Sequence, residues 1–444
     1  MSKALIGVDW GTHSSKWNWM SGEDYFDRGE FNILPSDVQL DLDSDRIFLS
    51  LDPPREDSVF ESGIKGTLIR DPYGPFWVGP RRQIKLTLGE LVCFSLWSLL
   101  SEAYQNLRQK SSTEPSEIEV RFSLPNWVGL TGAADARSKY EQAARVACYM
   151  FVQDRMAWLQ RPSPSRQEWQ AAVGSALRQL NISDDSEVDR TGFRYAIQRN
   201  FRVDDCISFR FVAESSAAGL TGLREFESDS SGRRYLRKIL VIDVGAGSTD
   251  IGYVLRTVPA VGANEVLVQL PPANTCAIAG KALTESIVKI YRARGERIGF
   301  GEAERRKIVG GDEDWLPDPS VTEWKRGIAE QVETYVADIA DERWLPYEPS
   351  LHVLITGGSG IVSGLQEEIL RAARNGLEQR NVDPRVIDGT ALMTLDTGGP
   401  YTNDVNRLAV VLGAASEELP TLSYHDSLDP PTSEVPVRAK RGWT

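Results

Sequence analysis

The chain has 444 residues, 41% of them hydrophobic and 25% charged, with a formal net charge of −13. That length leaves room for roughly two to four domains with well-filled cores, and the composition is that of a water-facing globular protein. The acidic balance argues against sequence-independent nucleic-acid binding, which needs a basic face, and four scattered cysteines with three histidines argue against a zinc site or a disulfide framework.

In chain order, "ALIGVD" at 4–9 reads as a buried strand, and "KWNWM" continues after a turn. No basic stretch with an apolar segment and cleavage site precedes it, so the expected location is the cytoplasm. Residues 20–75, rich in Asp, Pro and Gly, read as short strands and loops. "LGELVCFSLWSLLSEAYQNL" at 88–107 is amphipathic and carries Glu90 and Glu102, so it reads as a core-packed helix and not a membrane span. In "EIEVRFSLPNW", Ile118, Val120, Phe122 and Leu124 alternate, which predicts a half-buried strand ending at Pro125. Residues 133–160 read as helical. A second helix follows a capping box of Ser165 and Glu168. "CISFRFVAESSAAGL" reads as a strand running into a small-residue helix. Helices are predicted near 280–294, 302–309 and 322–342. "LHVLITGGSGIVSGLQEEIL" reads as strand, glycine turn and helix, "NRLAVVLGAASEE" as a last helix, and the Pro- and Ser-rich stretch from Leu419 as a flexible tail. Strands and helices alternate through both halves, which predicts an α/β fold with mainly buried sheets.

The chain repeats itself once. "IGVDWGTHSSK" at 6–16 and "LVIDVGAGSTD" at 240–250 share apolar-apolar-Asp-x-Gly-x-x-Ser, so that Asp9 matches Asp243, Gly11 matches Gly245 and Ser14 matches Ser248. One such turn is an ordinary hairpin signal. Two copies predict a duplicated lobe presenting the same loop twice. Glycines there let backbone N–H groups approach phosphate oxygens, and Ser and Thr hydroxyls add donors. The aspartates cannot touch phosphate directly. They suit a hydrated Mg²⁺, which keeps its waters and is held through few carboxylates. No G-x-x-x-x-G-K-[ST] loop is present, nor a G-x-G-x-x-G opening a helix.

These stretches, in this order, resemble the actin-like ATPase superfamily, which includes the seventy-kilodalton heat-shock chaperones, actin, bacterial actins and sugar kinases. "GVDWGTHSSK" and "VIDVGAGSTDIG" resemble its two phosphate motifs, "FVAESSAAGL" and "RLAVVLGAAS" its connecting helices, and "VLITGGSGIVSGL" its adenosine motif. "GEAERRKIVGG" at 301–311 resembles the purine-contacting helix of the cell-shape bacterial actins. The resemblance runs to about residue 416. It implies two actin-like (ribonuclease-H-like) lobes around a nucleotide cleft, 1–205 and 206–416, with a helical insertion near 130–190 and a tail at 417–444. It implies ATP or ADP and Mg²⁺ as ligands. Asp9 and Asp243 would hold the metal through water, Lys16 would neutralise phosphate charge, and Glu214 would activate the attacking water. Gly11, Thr12, His13, Ser14, Gly245, Ala246, Gly247, Ser248 and Thr249 would line the phosphates. Gly357, Gly358 and Ser359 would face ribose and base, and Glu304 and Lys307 would touch ribose and purine.

The residues alone leave other readings beside these. Glu304 and Lys307 also read as an i,i+3 surface pair, Glu214 as an acid favoured by a helix start, and His13 as a loop filler. Asp250 reads as a brace for its own loop, and Trp10, Trp17 and Trp19 as packing. The resemblance is closest to the heat-shock form at "ESSAAGL" and to bacterial actins at Lys16, at Ile361 (where the chaperones carry an Arg) and at "GEAERRKI". The expected function is therefore a slow Mg-dependent ATPase switch of the heat-shock type without a client-binding domain. A filament-forming actin is the alternative and a small-molecule kinase a weaker one. A protein partner or self-association is expected, with no membrane span and no specific nucleic-acid signal.

Overall fold

A computed structural model describes residues 3–12, 14–21, 31–36, 38–41, 43–49, 58–61, 64–65, 68, 75–78, 84–110, 115–124, 133–153, 163–180, 201–202, 207–229, 238–257, 266–309, 313–340, 351–383, 387–388, 405–415 and 423–424. Their strands are β1 (Lys3–Asp9), β2 (Ser14–Ser21), β3 (Phe31–Pro35), β4 (Val38–Asp41), β5 (Arg46–Leu49), β6 (Ser58–Glu61), β7 (Pro75–Val78), β8 (Ile84–Thr87), β9 (Glu117–Leu124), β10 (Phe201–Arg202), β11 (Ile207–Ala213), β12 (Lys238–Val244), β13 (Thr249–Thr257), β14 (Val266–Cys276), β15 (Leu351–Thr356), β16 (Ile387–Asp388) and β17 (Ser423–Tyr424). The helices are α1 (Leu88–Lys110), α2 (Ala133–Gln153), α3 (Arg166–Gln179), α4 (Glu214–Asp229), α5 (Gly280–Ala293), α6 (Phe300–Val309), α7 (Pro319–Ile339), α8 (Leu365–Glu378) and α9 (Val405–Ala414).

The chain forms two units. One comprises Met1–Leu124, Leu130–Val212 and Ala414–Glu417, the other Pro125–Gly129, Ala213–Gly413 and Glu418–Thr444. Each is built on a six-stranded sheet, in the order β10-β11-β9-β1-β2-β3 in the first and β16-β15-β12-β13-β14-β17 in the second. The two sheets follow one plan. In the first, β1 pairs antiparallel with β2, β2 antiparallel with β3, and β1 parallel with β9. In the second, β12 pairs antiparallel with β13, β13 antiparallel with β14, and β12 parallel with β15. The sequence echo is thus a structural duplication: β1 corresponds to β12, β2 to β13, β3 to β14 and β9 to β15. The fold class is α/β with two actin-like lobes.

Central strands read as apolar runs because both faces are covered. Ala4, Ile6 and Val8 of β1 and Ile239 to Ile242 of β12 are fully enclosed. In the second unit α5, α7 and α8 lay Leu283, Ile287, Ile328, Val332, Ile369 and Leu377 into one core with Ile242, Ile251 and Ile355. Helix starts follow their capping chemistry. Ser165 and Glu168 form the expected reciprocal box before α3. Thr87 and Glu90 form a second one at α1, with Thr87 N donating to Glu90 Oε2 at 2.7 Å and Glu90 N to Thr87 Oγ1 at 3.2 Å. Each such cap is worth about 1 kcal/mol. At α7, Asp318 caps the amide of Ser320 and Pro319 takes the first turn, where its missing N–H costs nothing.

Strand β9 differs from the half-buried strand its alternation predicts. Its polar row, Glu119, Arg121 and Ser123, is as enclosed as its apolar one. The reason is pairing with distant chain. Glu119 takes Lys3 at 2.8 Å, Arg121 at 2.7 Å and Arg210 at 2.7 Å, and Arg121 Nη1 donates to the Ala414 carbonyl at 3.1 Å. Burial alone would raise the Glu119 carboxyl, but Arg121, Arg210 and Lys3 outweigh it and bring it from 4.5 to about 2. Between these values the unfolded chain binds the proton and the folded one does not. The contribution is therefore complete above about pH 4.5 and is lost as pH falls toward 2. Screening at this partly exposed cluster leaves about 2 kcal/mol. Denaturant melts between pH 5 and 2.5 should show that loss in wild type and a shallower one in Glu119→Gln, which is less stable at pH 7.

Residues 181–200, most of the segment after α2, and most of the expected tail lie outside the described residues. Within the tail, Ser423 and Tyr424 pair in parallel with Val268 and Gln269 of β14. Among the described residues, no helix is long and apolar enough to cross a membrane.

Candidate functional site

In the first unit, the β1–β2 hairpin places Asp9 opposite Lys16 in the ladder. Lys16 Nζ donates to Asp9 Oδ2 at 2.8 Å, and Ser123 Oγ, from the end of β9, donates to Asp9 Oδ1 at 2.8 Å. Asp9 is 5% exposed. Burial pushes its carboxyl up, and Lys16, then Lys65, with the hydrogen bonds from Lys16 and Ser123, bring it below the ordinary value. Asp9 is a carboxylate throughout the physiological range. Trp10, the next residue, stacks on Tyr140 of α2 with ring centroids 5.2 Å apart, and Tyr140 Oη donates to the Ser123 carbonyl at 3.0 Å. The Trp10 and Trp17 side chains are core, and Trp19 Nε1 bonds Asn106 Oδ1 at 2.8 Å.

In the second unit, the β12–β13 hairpin repeats the register, with Asp243 opposite Asp250. Asp250 thus stands where Lys16 stands in the first hairpin. It accepts Ser248 Oγ at 2.8 Å and Thr275 Oγ1 at 2.5 Å, and so braces its own loop. The glycines match as well. A β-carbon on Gly11 would lie 2.1 Å from the Ser14 carbonyl oxygen, and one on Gly245 would lie 3.0 Å from that of Ser248. The first turn has no room for a side chain at this place, and the second leaves one only a tight fit.

The loop of the second hairpin is held against the start of α5. Gly280 N donates to the Gly245 carbonyl and Lys281 N to the Ala246 carbonyl, each at 2.9 Å. Thr249 Oγ1 donates to the Ile278 carbonyl at 2.6 Å, and Trp324 Nε1 to that of Ala279 at 2.9 Å. In a trans peptide, C=O and N–H point in opposite directions. With the carbonyls of Gly245 and Ala246 turned toward α5, the amides of Ala246 and Gly247 point away from it. Two successive amides aimed the same way form an anion-binding concavity.

The strand-to-helix turn after β15 closes on the same loop. Gly357 has φ +87, and a β-carbon there would meet Asp243 Oδ1 at 2.3 Å and the Val244 carbonyl oxygen at 2.5 Å. Ser359 N donates to that Val244 carbonyl at 3.1 Å. From α6, Lys307 Nζ reaches Glu304 Oε2 at 2.7 Å, Thr284 Oγ1 at 2.9 Å and the Gly280 carbonyl at 3.2 Å. Glu304 and Lys307 do form an i,i+3 pair, but the lysine side chain has no exposed surface. A β-carbon on Gly280 would lie 1.9 Å from Ser359 Oγ, 3.0 Å from Lys307 Nζ and 3.1 Å from the Gly245 carbonyl oxygen. One point therefore brings together three of the stretches singled out in the sequence: 243–250, 304–307 and 357–359.

Glu214 opens α4 directly after β11 and is 4% exposed. The sequence-predicted residues fall into two sets. Asp9, Gly11, Thr12, Ser14 and Lys16 belong to the first unit, and Glu214, Asp243, Gly245 to Thr249, Glu304, Lys307 and Gly357 to Ser359 to the second. His13 lies outside the described residues. Gly280, Thr284 and Ser123 escaped the sequence reading. For Gly280 the available signal was a small Ala-Gly pair ahead of a helical pattern, which marks a helix start and no more. Among the described residues, no three metal-ligating side chains cluster.

No protein-family model matches the chain. No curated protein matches it either. Among solved structures, it is similar to the archaeal actin homolog Ta0583 in complex with ADP, at 14% identity over 93% of this chain and 98% of that one, with a TM-score of 0.44. It is similar to the ethanolamine utilization protein EutJ from Carboxydothermus hydrogenoformans, at 14% identity over 93% of this chain and 89% of that one, with a TM-score of 0.39. It is also similar to the MamK double helical filament, at 14% identity over 92% of this chain and 98% of that one, with a TM-score of 0.40. These likenesses are distant, and the fold assignment rests on the duplicated sheets.

Proposed function

We propose that the chain is an actin-like ATPase switch that binds Mg·ATP, hydrolyses it slowly and couples the nucleotide state to self-association. The observation that carries the reading is the pair of parallel amides at Ala246 and Gly247, set in a loop that meets Gly280, where Ser359 and Lys307, both marked for nucleotide contact by the sequence, also converge. Such amides stabilise phosphate oxygens without a counter-charge. Gly357 to Ser359 and the Gly280 start of α5 would border the nucleoside, with Lys307 as the positioning residue that ties α6 to α5. Lys16 would exchange its bond to Asp9 for phosphate oxygen.

Each aspartate offers one carboxylate at the end of a strand, which suits an ion that keeps most of its waters, and so Mg²⁺. An ion held by such carboxylates, the role the resemblance implies for Asp9 and for Asp243, would supply charge neutralisation at the phosphates. Glu214 would accept a hydrogen bond from the attacking water and orient it toward the terminal phosphorus. Positioning and charge stabilisation are most of what phosphoryl transfer requires. Of the two outputs expected from the sequence, filament formation is carried forward: Lys16 and Ile361 are the bacterial-actin choices, and the heat-shock-like reading gains no specific support from the comparisons.

The test combines nucleotide binding, phosphate release and pelleting of the purified full chain. Chelation of divalent cations should weaken ATP binding at least about tenfold and stop phosphate release. Material that sediments with Mg·ATP and disperses after turnover supports self-association. Turnover from a particle that never grows would return the heat-shock-like switch, and absence of ATP binding would overturn the reading altogether.

A further inference from the structure

Three helices of the first unit, α1, α2 and α3, enclose a half-open cavity of about 100 Å³. Lys139, Ala143 and Val146 of α2 face Gln170, Val173 and Leu177 of α3 across it. Both rows have helical spacing, so two ridges meet here without filling the gap between them. Gly174 is the reason on the α3 side. A β-carbon there would meet Arg178 Nη1 at 3.6 Å and is otherwise in open space. Glycine inside a helix costs about 1 kcal/mol relative to alanine, so the gap is retained against helix propensity.

The lining is divided. Cys93, Ala143, Val146 and Val173 form an apolar, buried floor. Opposite charges sit together at one end. The Lys139 ammonium lies over the start of α1, where a β-carbon on Gly89 would be 3.7 Å from Nζ. The next residue, Glu90, has its carboxylate fixed by the Thr87 amide at 2.7 Å and Gln170 Nε2 at 3.4 Å. A ligand with one charge would meet an opposing and a like charge together. A zwitterion complements both, its carboxylate toward Lys139 and its ammonium toward Glu90, with a short aliphatic group on the floor. The volume is on the order of three waters, which limits the ligand to the smallest of its class, with part of it in the open mouth.

We propose that this cavity is a binding site for a small aliphatic α-amino acid. Its occupant would bear on the helix that braces the Asp9 hairpin. Tyr140, the residue after Lys139, stacks on Trp10 and bonds the Ser123 carbonyl, while Ser123 Oγ holds Asp9. An effect on turnover rests on the ATPase reading above, whereas binding does not.

The test is ligand-observed NMR and calorimetry on the full chain without nucleotide, with L-alanine as probe. Propionate and ethylamine each lack one of its charges. Alanine should bind with a Kd of about 1 mM or tighter, and each analogue at least about tenfold more weakly. Gly174→Leu, which fills the gap, should abolish binding without lowering the melting temperature. Lys139→Gln, at a half-exposed position, should weaken alanine about tenfold and leave ethylamine unchanged. Absence of alanine binding at 10 mM, roughly ten times the expected constant, overturns the site. So does equal binding of the analogues, or alanine binding that both variants retain. If alanine binds as expected but phosphate release does not respond, the site stands and its coupling to turnover falls.

Discussion

Glu214→Ala is expected to lower phosphate release by about 10²- to 10⁴-fold while leaving ATP affinity within about threefold of wild type. Glu214 is the first residue of α4, follows the enclosed strand β11 without a loop, and is 4% exposed. A carboxylate fixed there cannot wander, so it can hold a water in one orientation. The competing account is that an acid at a helix start is favoured by the backbone dipole, worth up to about 2 kcal/mol where it is buried. The two accounts differ in what they move. A purely structural Glu214 would show its loss in the melting temperature, with turnover at saturating ATP unchanged. A catalytic one would show its loss in single-turnover phosphate release, with modest change in melting. Glu214→Gln separates them further: it keeps shape and hydrogen bonding but is a poor proton acceptor, and it should be nearly as slow as the alanine variant. Wild-type turnover in either variant would remove Glu214 from the mechanism.

What the sequence made legible was local. The two hairpins were readable because an apolar strand, a fixed Asp-x-Gly-x-x-Ser spacing and a second apolar strand are all contained in a short window. The structure returns them in matching register, Asp9 against Lys16 and Asp243 against Asp250. Helix starts at Ser165 and near residue 280 were readable for the same reason. The polar row of β9 was not. Whether Glu119, Arg121 and Ser123 face water or protein depends on Lys3, Arg210, Ala414 and Asp9, all remote in the chain, and alternation alone takes the polar face to be solvated. Asp250 was visible as a loop residue, and the echo sets it against Lys16, but its bond to Thr275 of β14 was not legible because that partner comes from a separate strand. In the sequence, Glu304 and Lys307 stand either as ligand contacts or as a surface pair. The enclosed lysine bonded to Thr284 and Gly280 is neither a surface group nor evident from spacing, because α5 supplies its partners.

Gly280→Ala is the sharper test of the site because it adds one methyl group where three elements converge. That methyl would stand 1.9 Å from Ser359 Oγ, a separation that must be relieved by movement. The Lys307 ammonium at 3.0 Å and the Gly245 carbonyl oxygen at 3.1 Å limit the directions available. The Ser359 oxygen leaves by turning about its own side-chain bond, which spares its amide bond to Val244, and the overlap that Lys307 and the Gly245 carbonyl leave unrelieved pushes α5 off the bonds that turn the Gly245 and Ala246 carbonyls toward the helix. That second movement spoils the pair of parallel amides. The expected result is a stability loss of about 2 kcal/mol, typical of overpacking, with ATP affinity reduced at least about a hundredfold. Ser359→Ala removes the oxygen in closest conflict. Alone it should cost little. Combined with Gly280→Ala it should recover most of the stability and at least about tenfold of the affinity, a coupling that separate, additive damage would not give. Calorimetric titration of ATP and denaturant melts of the two single variants and the double variant close that cycle. Additivity within about 0.5 kcal/mol would mean that Gly280 and Ser359 do not meet as the loop geometry requires. Full recovery of stability without any recovery of affinity would separate the packing of this junction from nucleotide binding and leave the amides of Ala246 and Gly247 without their proposed ligand.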